Sequence, residues 1–214
     1  MVDSNMLHAI ELPSSIDQIP LPSEIQLWMA SARQRIQTFQ DRWNEPQIEQ
    51  FVAADYELVF QALVWLLDQK LANGNRFLEW GCGFSVVACL AASLGLDAVG
   101  IESEEVLLKQ GRRTVQDCKL DVELIHGNFL PKGAEEMADD PTLPSLWHPV
   151  ACGYRQLQLD LDDFAIVYSY PWPGEEDFHQ QVFLRHASPG ALLLQFHGPN
   201  QMSLWRATMG PGRR

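Results

Sequence analysis

The chain has 214 residues and a formal net charge of −13 at pH 7, with 28 Asp and Glu residues against 15 Lys and Arg. A chain of this length can bury the core of one α/β domain but not of two large ones. The acidic excess argues against nucleic acid as a partner, because phosphate binding needs clustered Lys and Arg. The best candidate for a membrane span, residues 62–67, is closed by Asp68 and is too short. We therefore expect one domain that binds neither nucleic acid nor membrane.

The cysteines predict neither a disulfide framework nor a metal site. Residues 82, 89, 118 and 152 show no C-x-x-C spacing, and we interpret Cys82 and Cys89 as small buried fillers. His148 lies in the same long connection as Cys152, but two side chains do not make a metal site. The first residues lack the charged region and apolar run of a signal peptide, so a reducing, cytoplasmic compartment is expected.

The N-terminal region is predicted to be an arm followed by helix. Residues 1–22 contain three prolines and no sustained period, which indicates an arm draped over the domain. Ser23 with Gln26 has the pattern of a capping box, and apolar residues at helical spacing then predict a helix over 23–43. We expect residues 1–46 to pack as an arm and a helix on the core.

A second helical region precedes the first strand of the core and runs to about Ala72. It begins either near Gln47 or at Asp55, which would then be its N-cap. Tyr56 lies where a lid over a bound cofactor would begin, and its contact with a cofactor is a hypothesis. The core domain is predicted to span residues 47–214.

Residues 76–103, the central unit, are the part of the chain around which the rest is organised. Residues 76–80 read as a buried strand, and Gly81 and Gly83 then allow a tight turn close to a ligand. A helix of small apolar residues over 85–94 and a strand over 98–101 follow, with an acid at position 102. Ligands of open α/β sheets bind at the carboxyl ends of the strands, where this acid can accept both hydroxyl hydrogens of a ribose. The unit therefore predicts a nucleoside site.

Two classes of nucleoside cofactor compete for this unit. The dinucleotide fingerprint G-x-G-x-x-G fails, because its third glycine position is Val86. The pattern acid-x-G-x-G-x-small is met instead, by Glu79, Gly81, Gly83 and Ser85. Here the chain resembles motif I and the following acidic motif of class I S-adenosylmethionine-dependent methyltransferases. It departs from the commonest pattern at Ser85, where a third glycine often stands.

The resemblance implies a Rossmann-like α/β fold, with a mostly parallel sheet and helices on both faces. It also implies that S-adenosylmethionine contacts the glycine turn and the acidic motif, at Glu79, Trp80, Gly81, Cys82, Gly83, Ser85, Glu102 and Ser103. In this family an Asp or Asn after the third strand often pairs with the adenine amino group, beside an apolar residue that covers the ring. Asn128 and Phe129 match that arrangement, although Gly-Asn is also a common turn.

The remaining elements follow in the order that this fold requires. A helix is predicted over 104–119 and a strand over 122–125. A long connection over 131–162 contains a short helix at 133–138. The last elements are a strand at 163–168, a helix at 175–187, a strand at 191–196 and at most one further strand within 202–209. Sheets of this family usually end with two more strands, so we expect a shortened C-terminal end.

The loop after the predicted fourth strand faces the acceptor side of such a site. Tyr170, Pro171 and Trp172 are expected to form a stiff, flat wall for an aromatic or cationic acceptor. The alternative interpretation is a rigid turn, with Glu175 and Glu176 capping the next helix.

Three functions remain open on this reading. The first is a cytoplasmic methyltransferase that uses S-adenosylmethionine on a small-molecule or protein acceptor that the sequence does not identify. The second is a non-catalytic nucleoside-binding or scaffold protein, which the shortened end and the atypical loop favour. The third, an NAD-dependent oxidoreductase, is disfavoured by Val86 and by the helices before the first strand. No oligomeric state is predicted.

Overall fold

The computed structural model describes residues 6–41, 51–134, 137 and 150–209. In these residues one sheet contains seven strands: β1 (Met6–Ile10), β2 (Arg76–Trp80), β3 (Asp97–Glu102), β4 (Val122–His126), β5 (Ile166–Ser169), β6 (Leu192–Gly198) and β7 (Gln201–Thr208). The α-helices are α1 (Ser23–Gln40), α2 (Tyr56–Asp68), α3 (Val86–Ser93), α4 (Glu105–Cys118), α5 (Tyr154–Leu157) and α6 (Glu176–His186). Short 3-10 turns lie at Ile16–Gln18 and Leu161–Asp163.

The strand order is β1-β7-β6-β5-β2-β3-β4, and the pairs from β6 across to β4 are all parallel. β7 runs antiparallel to both of its neighbours. The chain leaves β2 toward β3 and β4 on one side, and it later returns to place β5 on the other side. β2 is therefore the switch point of the sheet, where open α/β folds bind ligands.

Side chains from the two faces of the sheet enter two separate cores. Phe77 of β2 packs in one core with residues of α1, α2 and α3, whereas Leu78 and Trp80 pack in the other with residues of α5 and α6. This alternation is the pleat of a strand that is covered on both faces. The predicted fold class, a mostly parallel α/β sheet with helices on both faces and a helix before the core, is confirmed.

The prediction that residues 1–22 form an arm is wrong for residues 6–10. They form β1, which pairs with β7 from Met6 opposite Thr208 to Ile10 opposite Leu204. β7 is the one strand predicted within 202–209, and β1 occupies the outer position that we expected to be missing. Short exposed strands carry little periodicity, and this one depends on a partner near the other end of the described chain. The division into residues 1–46 and 47–214 stays a prediction.

Two predictions about helix starts had different outcomes. Asp55 is the N-cap of α2, because its side chain accepts hydrogen bonds from two N–H groups of the first turn at 3.1 and 3.2 Å. The capping box at Ser23 is wrong, since Pro22 occupies the cap position and no side chain bonds there. Gln26 instead donates its amide to the carbonyl of Leu21 over 2.9 Å.

Part of the long connection before β5 lies outside the described residues, including His148 and half of the predicted helix at 133–138. Its described end contains α5 and an isolated bridge between Cys152 and Asn128. Within the described ranges, no helix combines the length and apolar character needed to cross a membrane.

Candidate active site

A cavity of about 340 Å³ opens at the carboxyl ends of the central strands. Its volume falls in the range of about 300–1,000 Å³ that is typical of small-molecule sites. The central unit supplies one wall, with Trp80, Gly81, Glu102 and Ser103. The loop after β5 supplies another, with Tyr170, Pro171, Trp172 and Pro173. The cavity therefore lies at the switch point of the sheet, as the central unit predicts.

The two glycines of the turn both need a positive φ, but they do different work. Gly81, at φ +63°, lines the cavity, and a Cβ built on it would meet no other atom within 4 Å. This position therefore leaves the wall open to a ligand. Gly83, at φ +50°, lies under the ring of Phe51, and a Cβ there would stand 2.7 Å from that ring. Its smallness allows the segment before α2 to close over the turn.

Glu102 links the end of β3 to this turn. Its Oε2 accepts a hydrogen bond from the N–H of Gly83 at 2.7 Å, and its Oε1 accepts one from the N–H of Glu104 at 2.8 Å. The side chain is buried, and it forms part of the cavity wall. The acid predicted to hold a sugar thus lies directly against the glycine turn.

Glu79 lies behind the turn and does not line the cavity. Its Oε2 accepts a hydrogen bond from the N–H of Ala88 in α3 at 2.7 Å. Burial raises the pKa of this carboxyl well above its ordinary value, against the opposing effect of the Ala88 bond. Burial and the nearby Glu79 also raise the pKa values of Tyr56 and Tyr168. Tyr56, like Glu79, is absent from the cavity wall, so this cluster supports α3 from behind.

Cys82 and Ser85 are buried in the packing between α3, α4 and β3. The Sγ of Cys82 occupies the space where a Cβ on Gly100 would stand, at 2.8 Å. Ser85 adopts a positive φ of 56° and packs against Gly111 of α4 so closely that a Cβ on Gly111 would clash with its Oγ. Small residues are required here because helix and sheet backbones approach closely.

Asn128 forms a turn, which was the alternative to a contact with adenine. Its Oδ1 accepts a hydrogen bond from the N–H of Leu130 at 2.9 Å, and its backbone pairs with residues 151 and 153. Of the ten residues predicted to contact the cofactor, five line the cavity: Trp80, Gly81, Glu102, Ser103 and Phe129. The other five do not line it: Glu79, Cys82, Gly83, Ser85 and Asn128.

Aromatic rings form much of the cavity wall. Trp80 and Phe129 stack with their ring centroids 5.1 Å apart and their planes at 22°. The indole N–H of Trp80 donates to the hydroxyl of Tyr154 at 2.9 Å, inside the core, which holds the ring in place. Burial raises the pKa of this Tyr154 hydroxyl, so it remains protonated.

The loop after β5 lines the cavity and is also a stiff turn, and its predicted role as an acceptor wall stays a prediction. Tyr170, Pro171 and Trp172 line the cavity, as expected of an acceptor wall. The same loop is a stiff turn, because the N–H of Trp172 donates to Oε2 of Glu175 at 3.3 Å. Tyr170 also packs edge-on against Phe196, with centroids 4.8 Å apart.

His179 of α6 is the most unusual residue in the wall, and it is not among the site residues predicted from the sequence. It is 4% exposed, and neither ring nitrogen has a hydrogen-bond partner in the described structure. The rings of Trp80, Phe129 and Phe178 surround it. Burial lowers its pKa from 6.5 to about 3. Glu175, one turn earlier, is also buried in the wall, and burial raises its pKa.

The charged side chains of the wall are all acidic. The described residues that line the cavity include Glu102, Glu104 and Glu175, but none is Lys or Arg. His197 completes the titratable set, and its Nε2 lies 2.7 Å from the Oγ of Ser203. The site therefore favours neutral or cationic ligands over anionic ones.

No protein-family model matches the chain. Over 72 residues it is 33% identical to the ribosomal protein L11 methyltransferase of Neisseria gonorrhoeae, and 32% identical to that of Neisseria meningitidis serogroup C. Each match covers 33% of this chain and 24% of the relative, so it spans about a quarter of the relatives' length.

Two solved structures are similar to the chain at low sequence identity. One is the Podospora anserina methyltransferase PaMTH1 bound to S-adenosylhomocysteine, which is 13% identical with a TM-score of 0.49 over 85% of this chain and 66% of that one. The other is an RNA methyltransferase from Salinibacter ruber in complex with S-adenosyl-L-homocysteine. It is 16% identical, with a TM-score of 0.47 over 79% of this chain and 97% of that one.

Proposed function

We propose that the protein is a methyltransferase that uses S-adenosylmethionine to methylate a small-molecule or protein acceptor. The observation that carries this proposal is the meeting of Glu102 with the Gly81–Gly83 turn in one wall of the cavity. The sequence likeness to ribosomal protein L11 methyltransferases, though short, supports the same chemistry.

The cavity fits such a cofactor in three respects. The open space at Gly81 lets a ligand approach the backbone, and the carboxyl of Glu102 is suited to the ribose hydroxyls. Trp80 and Phe129 offer ring faces to a flat base. The acidic wall suits a positively charged ligand, whereas a dinucleotide brings phosphates for which the described wall has no Lys or Arg.

S-adenosylmethionine, when bound, supplies a methyl group activated by positively charged sulfur. The protein then has to bind the two reactants, align them and exclude water. Glu102, Ser103, Gly81, Trp80 and Phe129 would hold the cofactor. The loop after β5 would shape the space for the acceptor. Glu79 would act indirectly, by fixing α3 behind the turn.

One of the two features that favoured the non-catalytic alternative is not found in the structure. It was favoured by an apparently shortened end, but β1 and β7 complete a seven-stranded sheet. Its other argument, the unusual loop after β5, remains. We also propose a cytoplasmic location, since all four cysteines are free thiols, at positions 82, 89, 118 and 152.

Calorimetric titration with S-adenosylmethionine, S-adenosylhomocysteine and NAD tests the proposal. We expect the first two to bind and NAD not to bind. Transfer of a labelled methyl group to members of an acceptor panel then separates an enzyme from a binding protein. Cofactor binding without turnover on any acceptor would favour the non-catalytic alternative, and binding of NAD alone would overturn both.

A further inference from the structure

His179 is a buried polar side chain whose partners are missing from the described structure. Both ring nitrogens lack a hydrogen-bond partner, although the ring forms part of the cavity wall. Its neighbours are aromatic, with centroids 5.5 Å away at Trp80, 5.3 Å at Phe129 and 6.2 Å at Phe178. Leaving a buried donor and acceptor unsatisfied is costly, so a ligand that bonds to the imidazole recovers that cost.

The protonation state of His179 limits what that ligand can be. Because burial lowers its pKa to about 3, the imidazole is neutral near pH 7 and offers one donor and one acceptor. A neutral ring has no positive charge with which to attract an anion. Among the described residues that line the cavity the acidic side chains are Glu102, Glu104 and Glu175 and none is Lys or Arg, which disfavours phosphate and carboxylate groups further.

An amine acceptor is also disfavoured, for a different reason. An ammonium group must lose its proton before its nitrogen can attack, and so weak a base as this imidazole does not remove that proton. A hydroxyl is nucleophilic while it is still neutral. It becomes strongly acidic only as its oxygen bonds to carbon, so a weak base then suffices.

The shape of the wall selects a flat molecule. Trp80 and Phe129 would face the cofactor, while Tyr170 and Trp172 contribute further rings on the acceptor side, and Pro171 stiffens the loop that carries both of them. Glu175 keeps that loop in place through its bond from the N–H of Trp172 at 3.3 Å. Glu175 is accordingly a positioning residue in this scheme.

We propose that the methyl acceptor is a small uncharged aromatic compound whose hydroxyl group hydrogen-bonds to the imidazole of His179. This inference rests on the proposed function and names its substrate class. In the transfer, a bond forms between the hydroxyl oxygen and the methyl carbon while the carbon–sulfur bond breaks and leaves its electron pair on sulfur. The hydroxyl proton passes to the free imidazole nitrogen and leaves to solvent when the products depart. The products are an aryl methyl ether and the neutral thioether of the cofactor.

The test uses the full chain saturated with S-adenosylhomocysteine and four probes that share one ring system. These are 2-naphthol, naphthalene, 2-naphthylmethylamine and 2-naphthyl phosphate. Binding is followed by quenching of tryptophan fluorescence, since Trp80 and Trp172 line the cavity. We expect 2-naphthol to bind about tenfold more tightly than naphthalene or 2-naphthyl phosphate, which is the worth of one hydrogen bond in a dry site. The amine is tested by methyl transfer, and we expect S-adenosylmethionine to methylate 2-naphthol but not 2-naphthylmethylamine.

Two variants connect this preference to His179. His179→Phe keeps a ring of similar size and loses both nitrogens, and we expect it to abolish the preference for naphthol while S-adenosylhomocysteine binds as in wild type. It should also slow methyl transfer to an accepted phenol by about 100-fold or more, as expected for loss of a proton acceptor. His186→Phe is the matched control, because its Nε2 is also buried without a partner on α6 but does not line the cavity.

A spectroscopic readout keeps the test decisive if His179→Phe fails to fold. In wild-type protein labelled with ¹⁵N-histidine, 2-naphthol should shift the ring resonances of His179, and naphthalene should not. Methyl transfer to the amine, tighter binding of the phosphate, unshifted resonances, or an unchanged naphthol preference in His179→Phe would each overturn the inference and leave the proposed function standing. Failure of wild type to bind either S-adenosyl compound would instead overturn the proposed function.

Discussion

The Oε2 of Glu102 accepts a hydrogen bond from the backbone N–H of Gly83 at 2.7 Å, across 19 positions of sequence. Glu102 is the last residue of β3, and Gly83 lies in the turn that follows β2, so this bond joins β3 to that turn. The same carboxyl lines the cavity. Together with the backbone bond from the N–H of Cys82 to the carbonyl of Ile101 at 3.0 Å, this side chain couples order in the glycine turn to the wall of the ligand site.

Removal of this carboxyl should weaken cofactor binding. Glu102→Ala deletes the carboxyl that accepts from Gly83 and Glu104 and that would accept from the ribose hydroxyls. Hydrogen bonds to charged groups are worth about 1.5–3 kcal/mol, so loss of the ribose contact should cost roughly 10- to 150-fold in affinity. Titration of S-adenosylhomocysteine measures the change. Glu105→Gln is the control, because Glu105 is an exposed acid at the start of α4 that pairs with Lys109. Unchanged affinity in a folded Glu102→Ala protein would contradict the assignment.

Gly83→Ala should destabilise the protein more than Gly81→Ala. Both substitutions place a side chain at positive φ, which costs about 1–2 kcal/mol. Only the Cβ at position 83 also meets the Phe51 ring, at 2.7 Å, whereas position 81 has open space. Urea unfolding of both single variants gives the difference. In a double-mutant cycle with Phe51→Ala, part of the Gly83→Ala penalty should disappear, and strict additivity would show that the ring is not the cause.

Tyr154→Phe should lower stability by about 1–3 kcal/mol, the cost of leaving a buried donor unsatisfied. The hydroxyl of Tyr154 is the acceptor for the indole N–H of Trp80, and the residue itself does not line the cavity. Urea unfolding measures the loss. Because the indole then lacks its anchor, we also expect weaker binding of flat ligands against Trp80. Tyr170→Phe is the comparison, since Tyr170 is partly exposed, and its loss should cost little stability.

His179 should make the protein less stable in acid. Its pKa falls from 6.5 to about 3 on folding, so between these values the unfolded chain binds a proton that the folded chain does not. Stability then falls as pH falls, by about 1.4 kcal/mol per pH unit from this group. Urea unfolding of wild type and His179→Gln should give a difference that grows with acid below about pH 6 and is constant above about pH 7.5. Exposed His8→Gln is the control, and parallel curves for wild type and His179→Gln would contradict the expectation.

The parts of the fold that the sequence predicts are those set by local pattern. The central unit has a strand, a glycine turn, a helix and a strand in direct succession, and each element can be identified from a few adjacent residues. Asp55 likewise marks the start of α2 through bonds to its own first turn. β1 escaped prediction because it is short and exposed and gains its order only by pairing with β7.

The site shows the same division between local and distant causes. Glu102 and the glycine turn could be brought together from sequence, because adjacent parallel strands end at the same edge of a sheet. Strand alternation separates Glu79 from Trp80, so that Trp80 faces the cavity while Glu79 turns to the opposite core. His179 could not be found in this way. Its burial depends on Trp80 and Phe129, which are distant in sequence, and the pattern of α6 alone gives no sign of them.

The pairing of β1 with β7 also orders events during synthesis. Met6 and Thr208, whose hydroxyl donates to the Met6 carbonyl, are 202 positions apart. β1 therefore leaves the ribosome long before its partner exists, and closing so distant a contact is a slow step. The bond between Gly83 and Glu102 joins residues that emerge close together in time. The wall of the cavity that the glycine turn and Glu102 form can thus be ordered early on the nascent chain, whereas the wall from the loop after β5 and from α6 emerges only shortly before β7.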